Sequence, residues 1–306
     1  VACGTAYHAC LSGANILERL TGIPTFTQVA SEFRYCDPIV DEKTMCVFVS
    51  QSGETADTIA AMREAHKLGI ETLGIVNNPD STIARECDRK ILTNAGVEIA
   101  VATTKAYILQ VCVLSLMALE TAKVKKLVQG DEDYKAFEKL PALLKSVLDN
   151  NSYYEKVATS IYQKESCFFI GRGIDYAICM EGSLKLKEVS YLHSEAYQAG
   201  ELKHGTISLV EENMPVLCVI TNKALKDKSI SNLKETEARG AFGIVITTKD
   251  LDDFEDYTKI VVPTTSMFTQ SMLVVPALQL LSYYVALKRG CDIDKPRNLA
   301  KSVTVE

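Results

Sequence analysis

Short apolar runs alternate with longer segments of helical periodicity along this chain. Runs rich in β-branched and aromatic residues fall near 1–3, 45–50, 72–76 and 90–93, and again near 167–171, 215–221, 243–247 and 259–262. Between them, apolar positions recur at helical spacing near 6–20, 55–68 and 103–122, then near 174–192, 226–239 and 269–289. Strand-length runs separated by helix-length segments predict βαβ units: parallel sheets, right-handed crossovers, and helices on both faces. The stretch 123–151 is rich in Lys, Glu and Asp with Leu at helical spacing, and predicts connecting helices.

The pattern repeats. Val1-Ala2-Cys3-Gly4-Thr5 is similar to Phe169-Ile170-Gly171-Arg172-Gly173, and Ala30-Ser31-Glu32-Phe33 to Ala199-Gly200-Glu201-Leu202. The run Met45–Val49 matches Pro215–Val219, and Gly74-Ile75-Val76 matches Gly243-Ile244-Val245. The four offsets are 168, 169, 170 and 169, so the register holds with single-residue slips. A long constant period implies two copies of one α/β unit. We expect a first subdomain over 1–125, a connecting helical segment over 126–151, a second subdomain over 152–290 and a tail over 291–306.

Ligands of such sheets bind beyond the carboxyl ends of strands, where strand order reverses. The run Ser50-Gln51-Ser52-Gly53-Glu54-Thr55 lies at such an end, between a strand and a helix. Helix-terminal N–H groups lack partners and the helix dipole favours anions there. Ser50, Ser52 and Thr55 add hydroxyl donors, and Gly53 permits close backbone approach. Helix capping by Ser52 explains part of this pattern, but four polar residues with a glycine exceed what a cap needs. No loop lysine follows, as a nucleotide-binding P-loop requires, so the loop fits a small phosphorylated molecule. The matching place in the second half, Thr221-Asn222-Lys223, lacks the hydroxyl cluster, so only the first half is expected to bind phosphate.

Composition narrows the classes. Apolar content is 47% and charged content 24% over 306 residues, ordinary for a globular protein. A net charge of −6 argues against non-specific nucleic-acid binding. No apolar run is read as reaching the roughly 20 residues of a membrane helix, and no signal peptide is visible. The chain opens at Val1 on a strand-like run, which leads us to expect sequence upstream. Ten cysteines without a C-x-x-C pair, several in apolar runs (Cys46, Cys112, Cys167, Cys218), read as reduced thiols in a cytoplasmic setting. Four histidines without ligand spacing argue against a structural zinc.

Several segments resemble the sugar isomerase (SIS) family, and within it the isomerase domains of glucosamine-6-phosphate synthases, the isomerising glutamine:fructose-6-phosphate aminotransferases. They are A-C-G-T at 2–5, S-Q-S-G-E-T-A-D-T at 50–58, T-K-A at 104–106, G-R-G at 171–173, L-K-L-K-E at 184–188, G-E-L-K-H-G at 200–205 and P-R-N-L-A-K-S-V-T-V-E at 296–306. The likeness covers nearly the whole chain, and the last two segments are the more specific to the synthases. It implies two SIS subdomains, each a five-stranded parallel sheet flanked by helices. It also implies a homodimer with His204 reaching in from the neighbouring subunit, and a glutaminase domain that precedes this region in the family and has no counterpart here. No metal or organic cofactor is implied.

The resemblance also assigns roles. Thr5, Ser50, Gln51, Ser52, Thr55, Val101 and Thr103 match substrate-binding positions. The family usually carries Ser where Thr103 and Ala6 stand; losing one hydrogen bond at position 6 costs roughly 0.5–1.5 kcal/mol. Glu188 matches the base that moves a proton between carbons 1 and 2 of the open-chain sugar, and Lys185 the group that stabilises charge developing on oxygen. From spacing alone, Lys185 and Glu188 at i, i+3 read as a surface ion pair. Glu188, however, shares a helix face with Leu184 and Tyr191 and should be partly buried, with desolvation and the nearby ammonium opposing each other on its pKa. His204, in a glycine-bounded loop, matches the residue that opens the fructose 6-phosphate ring. Lys301 reads from composition as part of a solvated tail, whereas the resemblance makes it the Schiff-base lysine and makes 291–306 part of the active site. His193 matches a family position without a role; His8 and His66 read as structural or solvated. Tyr7, Tyr35, Tyr107 and the Tyr283-Tyr284 pair read as packing residues, and Asp252–Asp256 as a solvated loop.

The activity implied is ketose–aldose isomerisation with amination, giving glucosamine 6-phosphate for amino-sugar biosynthesis. The alternatives are a stand-alone SIS phosphosugar isomerase or deglycase, and a non-catalytic phosphosugar sensor. The ending at 296–306 speaks against the first; the joint presence of Glu188, His204 and Lys301 speaks against the second.

Overall fold

The computed structural model describes residues 1–128 and 132–304. Residues 129–131 of the expected connecting segment and 305–306 of the expected tail lie outside that range. The chain divides into two compact units, Val1–Gln129 with Asn298–Glu306, and Gly130–Arg297.

The first unit runs α1 (Gly4–Thr21), α2 (Ala30–Phe33), β1 (Met45–Ser50), α3 (Ala56–Lys67), β2 (Glu71–Val76), α4 (Thr82–Glu86), β3 (Arg89–Leu92) and α5 (Lys105–Val124). Its strands pair in parallel in the order β1-β2-β3. The expectation of five strands here is corrected to three. Two further ladder positions are rudimentary. Val1 donates its amino group to Val47 O at 2.8 Å, and Ala2 forms a single parallel bridge with Val29. Cys3 leaves the sheet at once as N-cap of α1, so this ladder is one residue long. Phe48, Met62, Ile83 and Val76 close the core between the sheet and α3 and α4; each such side chain contributes roughly 1.5–3 kcal/mol by leaving water.

The second unit contains α6 (Glu132–Leu148), α7 (Asn151–Thr159), β4 (Ser166–Gly171), α8 (Ile174–Ser190), β5 (His193–Gln198), β6 (Pro215–Ile220), α9 (Lys226–Glu237), β7 (Phe242–Thr248), β8 (Thr258–Val262) and α10 (Gln270–Lys288). Five parallel strands pair in the order β5-β4-β6-β7-β8. Strand β5 is absent from the apolar pattern because it is an edge strand of sequence His-Ser-Glu-Ala-Tyr-Gln, largely half-buried or exposed. With the two rudimentary ladders counted, the first sheet follows the same order as the second, which is the repeat expressed in three dimensions.

By length and composition, α5 and α10 are apolar enough to cross a membrane, which corrects the reading of the apolar runs. Helix α10 is apolar on all sides because α6, α7 and α8 surround it within its own unit, and Met272 to Ala277 are fully buried. The packing reading holds for Tyr107, which is buried with its hydroxyl 3.1 Å from Ser12 Oγ. It fails for Tyr35, which is exposed beneath the Arg34 guanidinium. Nor is the acidic loop merely solvated: Asp252 and Asp253 pair with Lys259 and Lys226.

Candidate active site

Strand β1 ends buried at Ser50 and delivers the chain into the hydroxyl loop. Ser50 Oγ accepts the Gly53 N–H at 3.0 Å and lies 3.2 Å from Thr55 Oγ1. Ser52 Oγ accepts the Glu54 N–H at 3.1 Å. Thr55 is the N-cap of α3, yet its side chain makes no capping bond, so capping does not account for the hydroxyls. Gly53 is needed for a different reason than ligand approach. Its φ is +68°, and a Cβ there would fall 2.1 Å from Ser81 Oγ. The tight fold lets Gly53 O accept the Ile83 N–H, while Glu54 Oε1 accepts the Thr82 N–H at 2.7 Å. The one acidic side chain of the loop is thereby engaged at the N-terminus of α4.

The C-terminal segment lies across this loop. Ala56, the first residue of α3, donates its N–H to Val303 O at 3.1 Å, and Ser302 Oγ lies 3.2 Å from Ser52 Oγ. Lys301 Nζ donates to Ala100 O at 2.8 Å and stands 3.9 Å from Glu98 Oε2. The solvated-tail reading of Lys301 is therefore replaced: the lysine sits between the hydroxyl loop and the 98–104 segment that holds Val101 and Thr103. Both of those residues are half-buried, around the buried Ala102. Thr5 is buried in the first turn of α1, where Gly4 takes a φ of +54°.

Glu98 escapes the sequence reading. Its side chain is 3% exposed, and its Oε1 accepts the Thr104 N–H at 2.6 Å and the Thr104 hydroxyl at 3.2 Å. A lone carboxylate inside the apolar run Val97–Ala102 is the signal that marks it.

In the second unit, α8 carries three charges on one face. Lys185 Nζ is 2.5 Å from Glu188 Oε2 and 3.6 Å from Glu181 Oε1, with side-chain exposures of 2%, 20% and 0% for Lys185, Glu188 and Glu181. Glu188 is thus partly buried, as the face argument expects. Glu181 is missing from that argument, though it stands one helical turn before Lys185. Gly182 brings the helices together: a Cβ there would meet Leu278 Cδ1 of α10 at 2.6 Å. His204 ends a single 3-10 turn, Leu202–His204, and is exposed before Gly205. His193 is exposed at the start of β5, 3.9 Å from Glu195.

The loop after β6 shows what fills the matching place in the second sheet. Asp175, in the first turn of α8, accepts the Thr221 N–H at 3.0 Å and the Thr221 hydroxyl at 2.5 Å. Gly171 makes this possible, since a Cβ there would lie 2.6 Å from the Asp175 carbonyl. Burial pushes the Asp175 carboxyl up to about 6, against the lowering effect of both Thr221 bonds. An internal carboxylate takes donors of the kind that an external anion would use. Among the described residues no group of three His, Cys, Asp or Glu is placed to hold a metal.

The family model of the SIS domain matches residues 1–120 and 160–289. The chain is 48% identical over 312 residues to a glutamine–fructose-6-phosphate aminotransferase (isomerizing) of Clostridium tetani, covering 100% of this chain and 51% of that protein. It is 44% identical over 307 residues to the protein of the same name from Geobacillus kaustophilus, again covering 51% of it. The chain therefore spans about half the length of the curated relatives it matches. Among solved structures, the C-terminal domain of glucosamine-fructose-6-phosphate aminotransferase from Francisella tularensis superimposes with a TM-score of 0.92 at 38% identity, over 96% of this chain and 85% of that one. A glucosamine-6-phosphate deaminase from Thermotoga maritima matches with a TM-score of 0.78 at 24% identity, over 99% of this chain and 88% of that one, a likeness of fold alone.

Proposed function

This chain belongs to the SIS-domain family, and on that premise we propose that it is the isomerase domain of an enzyme making glucosamine 6-phosphate. The substrate is fructose 6-phosphate, and the nitrogen is ammonia released from glutamine by a glutaminase domain. The observation that carries the reading is the placement of Lys301 against the hydroxyl loop, through Ser302 on Ser52 and Val303 on Ala56. An amine beside an anion-binding helix N-terminus suits a sugar phosphate held at one end and attacked further along.

Ser50, Gln51, Ser52 and Thr55 hold the phosphate, and Thr5, Val101 and Thr103 line the sugar. His204, supplied by the partner subunit of a homodimer, opens the ring by moving a proton between the anomeric hydroxyl and the ring oxygen. Lys301 Nζ forms an imine with the C2 ketone, releasing water, and ammonia then displaces the lysine. Glu188 carries the proton from C1 to C2, while the Lys185 ammonium, held against it, stabilises negative charge on the substrate oxygen. The imine itself acidifies the C1 proton. A cytoplasmic setting follows from the same reading, supported by ten cysteines that are all free thiols.

The test is reductive trapping. Borohydride added to chain and fructose 6-phosphate should leave a mass increment of one sugar phosphate on the peptide containing Lys301. Lys301→Arg should leave none. A trapped adduct on another lysine, or no adduct on the wild-type chain, overturns the reading.

A further inference from the structure

Glu98 Oε2 is buried and has no hydrogen-bond partner among the described residues. A buried carboxylate oxygen in that state is destabilising unless something offsets it. The neighbour on that side is Lys301 Nζ, 3.9 Å away, while Oε1 is held by two donors from Thr104. The carboxylate is thus fixed on one side and open towards the amine on the other. We propose that Glu98 is a further catalytic residue of the imine chemistry: the proton acceptor and counter-ion of Lys301. This rests on the reading of Lys301 given above.

The proton balance is complete without an added reagent. The Lys301 ammonium passes one proton to Glu98 Oε2, which frees the nitrogen lone pair. That pair forms the N–C2 bond as the carbonyl π pair moves to oxygen, and the nitrogen's second proton follows to give the carbinolamine hydroxyl. Glu98 then returns its proton to this hydroxyl, the C2–O bond breaks, water leaves, and a cationic imine remains facing a carboxylate. Among the described residues, Lys105 is a further charged group beside this segment, and its Nζ is bonded to Val97 O at 2.7 Å.

This arrangement has a pH signature that a merely structural carboxylate lacks. With the proton exchanged inside the pair, imine formation by the wild-type chain is nearly flat between pH 7 and 9. In Glu98→Gln the amide still accepts from Thr104, but Lys301 must lose its proton to solvent. The rate of borohydride-trapped adduct at saturating fructose 6-phosphate should then fall about 100-fold at pH 7, the usual worth of a general base, and climb about tenfold per pH unit towards pH 9. Glu98→Asp, which keeps the charge, should restore part of the rate and the flat profile. Parallel profiles for wild type and Glu98→Gln, or equal rates at pH 7, overturn the proposal while leaving Lys301 as the trapped residue. If the Gln variant fails to fold, the wild-type profile decides: a tenfold rise per pH unit overturns the proposal and a flat profile supports it. Absence of adduct in the wild type fails the underlying reading instead.

Discussion

At the scale of single residues, the hydroxyl loop depends on one glycine more than on any serine. Gly53 combines a φ of +68° with a Cβ position already occupied by Ser81. Gly53→Ala should therefore cost about 1–3 kcal/mol from the left-handed backbone alone, and more from the displaced Ser81. The measurable outcome is a lowered melting temperature together with weakened protection by fructose 6-phosphate. Ser302→Ala should leave stability within about 0.5 kcal/mol, because it removes one half-buried hydroxyl contact. Calorimetry on the two variants separates these cases; equal melting temperatures for both would contradict the account of the loop.

At the scale of elements, α8 carries two buried charge devices. Its first turn holds Asp175 on Thr221, and its last turns hold Lys185 between Glu181 and Glu188. The Asp175 carboxyl is raised to about 6 from an ordinary 3.8. The folded chain then binds its proton more tightly than the unfolded chain, so between about pH 4 and 6 the folded state holds more protons. This contribution to stability is present at low pH and is lost as pH rises through that window. Asp175→Asn should flatten this part of the profile and raise stability at pH 7 by up to about 3 kcal/mol. Denaturant unfolding at pH 4, 6 and 8 measures it, and a variant that is less stable at pH 8 contradicts the assignment. Lys185→Met should lose about 3–5 kcal/mol, since it removes the buried cation that stands between Glu181 and Glu188.

The same elements show what a reader of the sequence can see. Strands β1, β2, β4, β6 and β7 are apolar runs because most of their residues are buried, and the repeat follows from them. Strand β5 is hidden because an edge strand is under no such demand. The Ser50–Thr55 cluster was legible because hydroxyls after a buried strand have few other uses. The resemblance to the SIS family pointed to Lys301, whose composition says only tail. Glu98 is marked in the sequence only by its place in an apolar run, and Glu181 is masked by an ordinary helical spacing, because a buried carboxylate is defined by its partners in space.

At the scale of the whole molecule, two units of one design carry different loads. The first carries a cluster of hydroxyls after β1, while the second fills the matching place with its own carboxylate. In the proposed homodimer, each subunit lends His204 to its partner. Mixing inactive His204→Ala with inactive Glu188→Gln should then restore activity. Half the dimers are mixed and one site in each is complete, so about a quarter of wild-type activity is expected after exchange. A mixture that stays inactive although subunits exchange would place His204 in its own subunit's site.

The most direct test of the central claim is conversion of fructose 6-phosphate to glucose 6-phosphate by this chain without glutamine or ammonia. The wild-type chain should produce glucose 6-phosphate, and Glu188→Gln should lose at least about 100-fold of that rate while still forming the Lys301 adduct. No product from the wild-type chain, or full turnover by Glu188→Gln, would contradict the account.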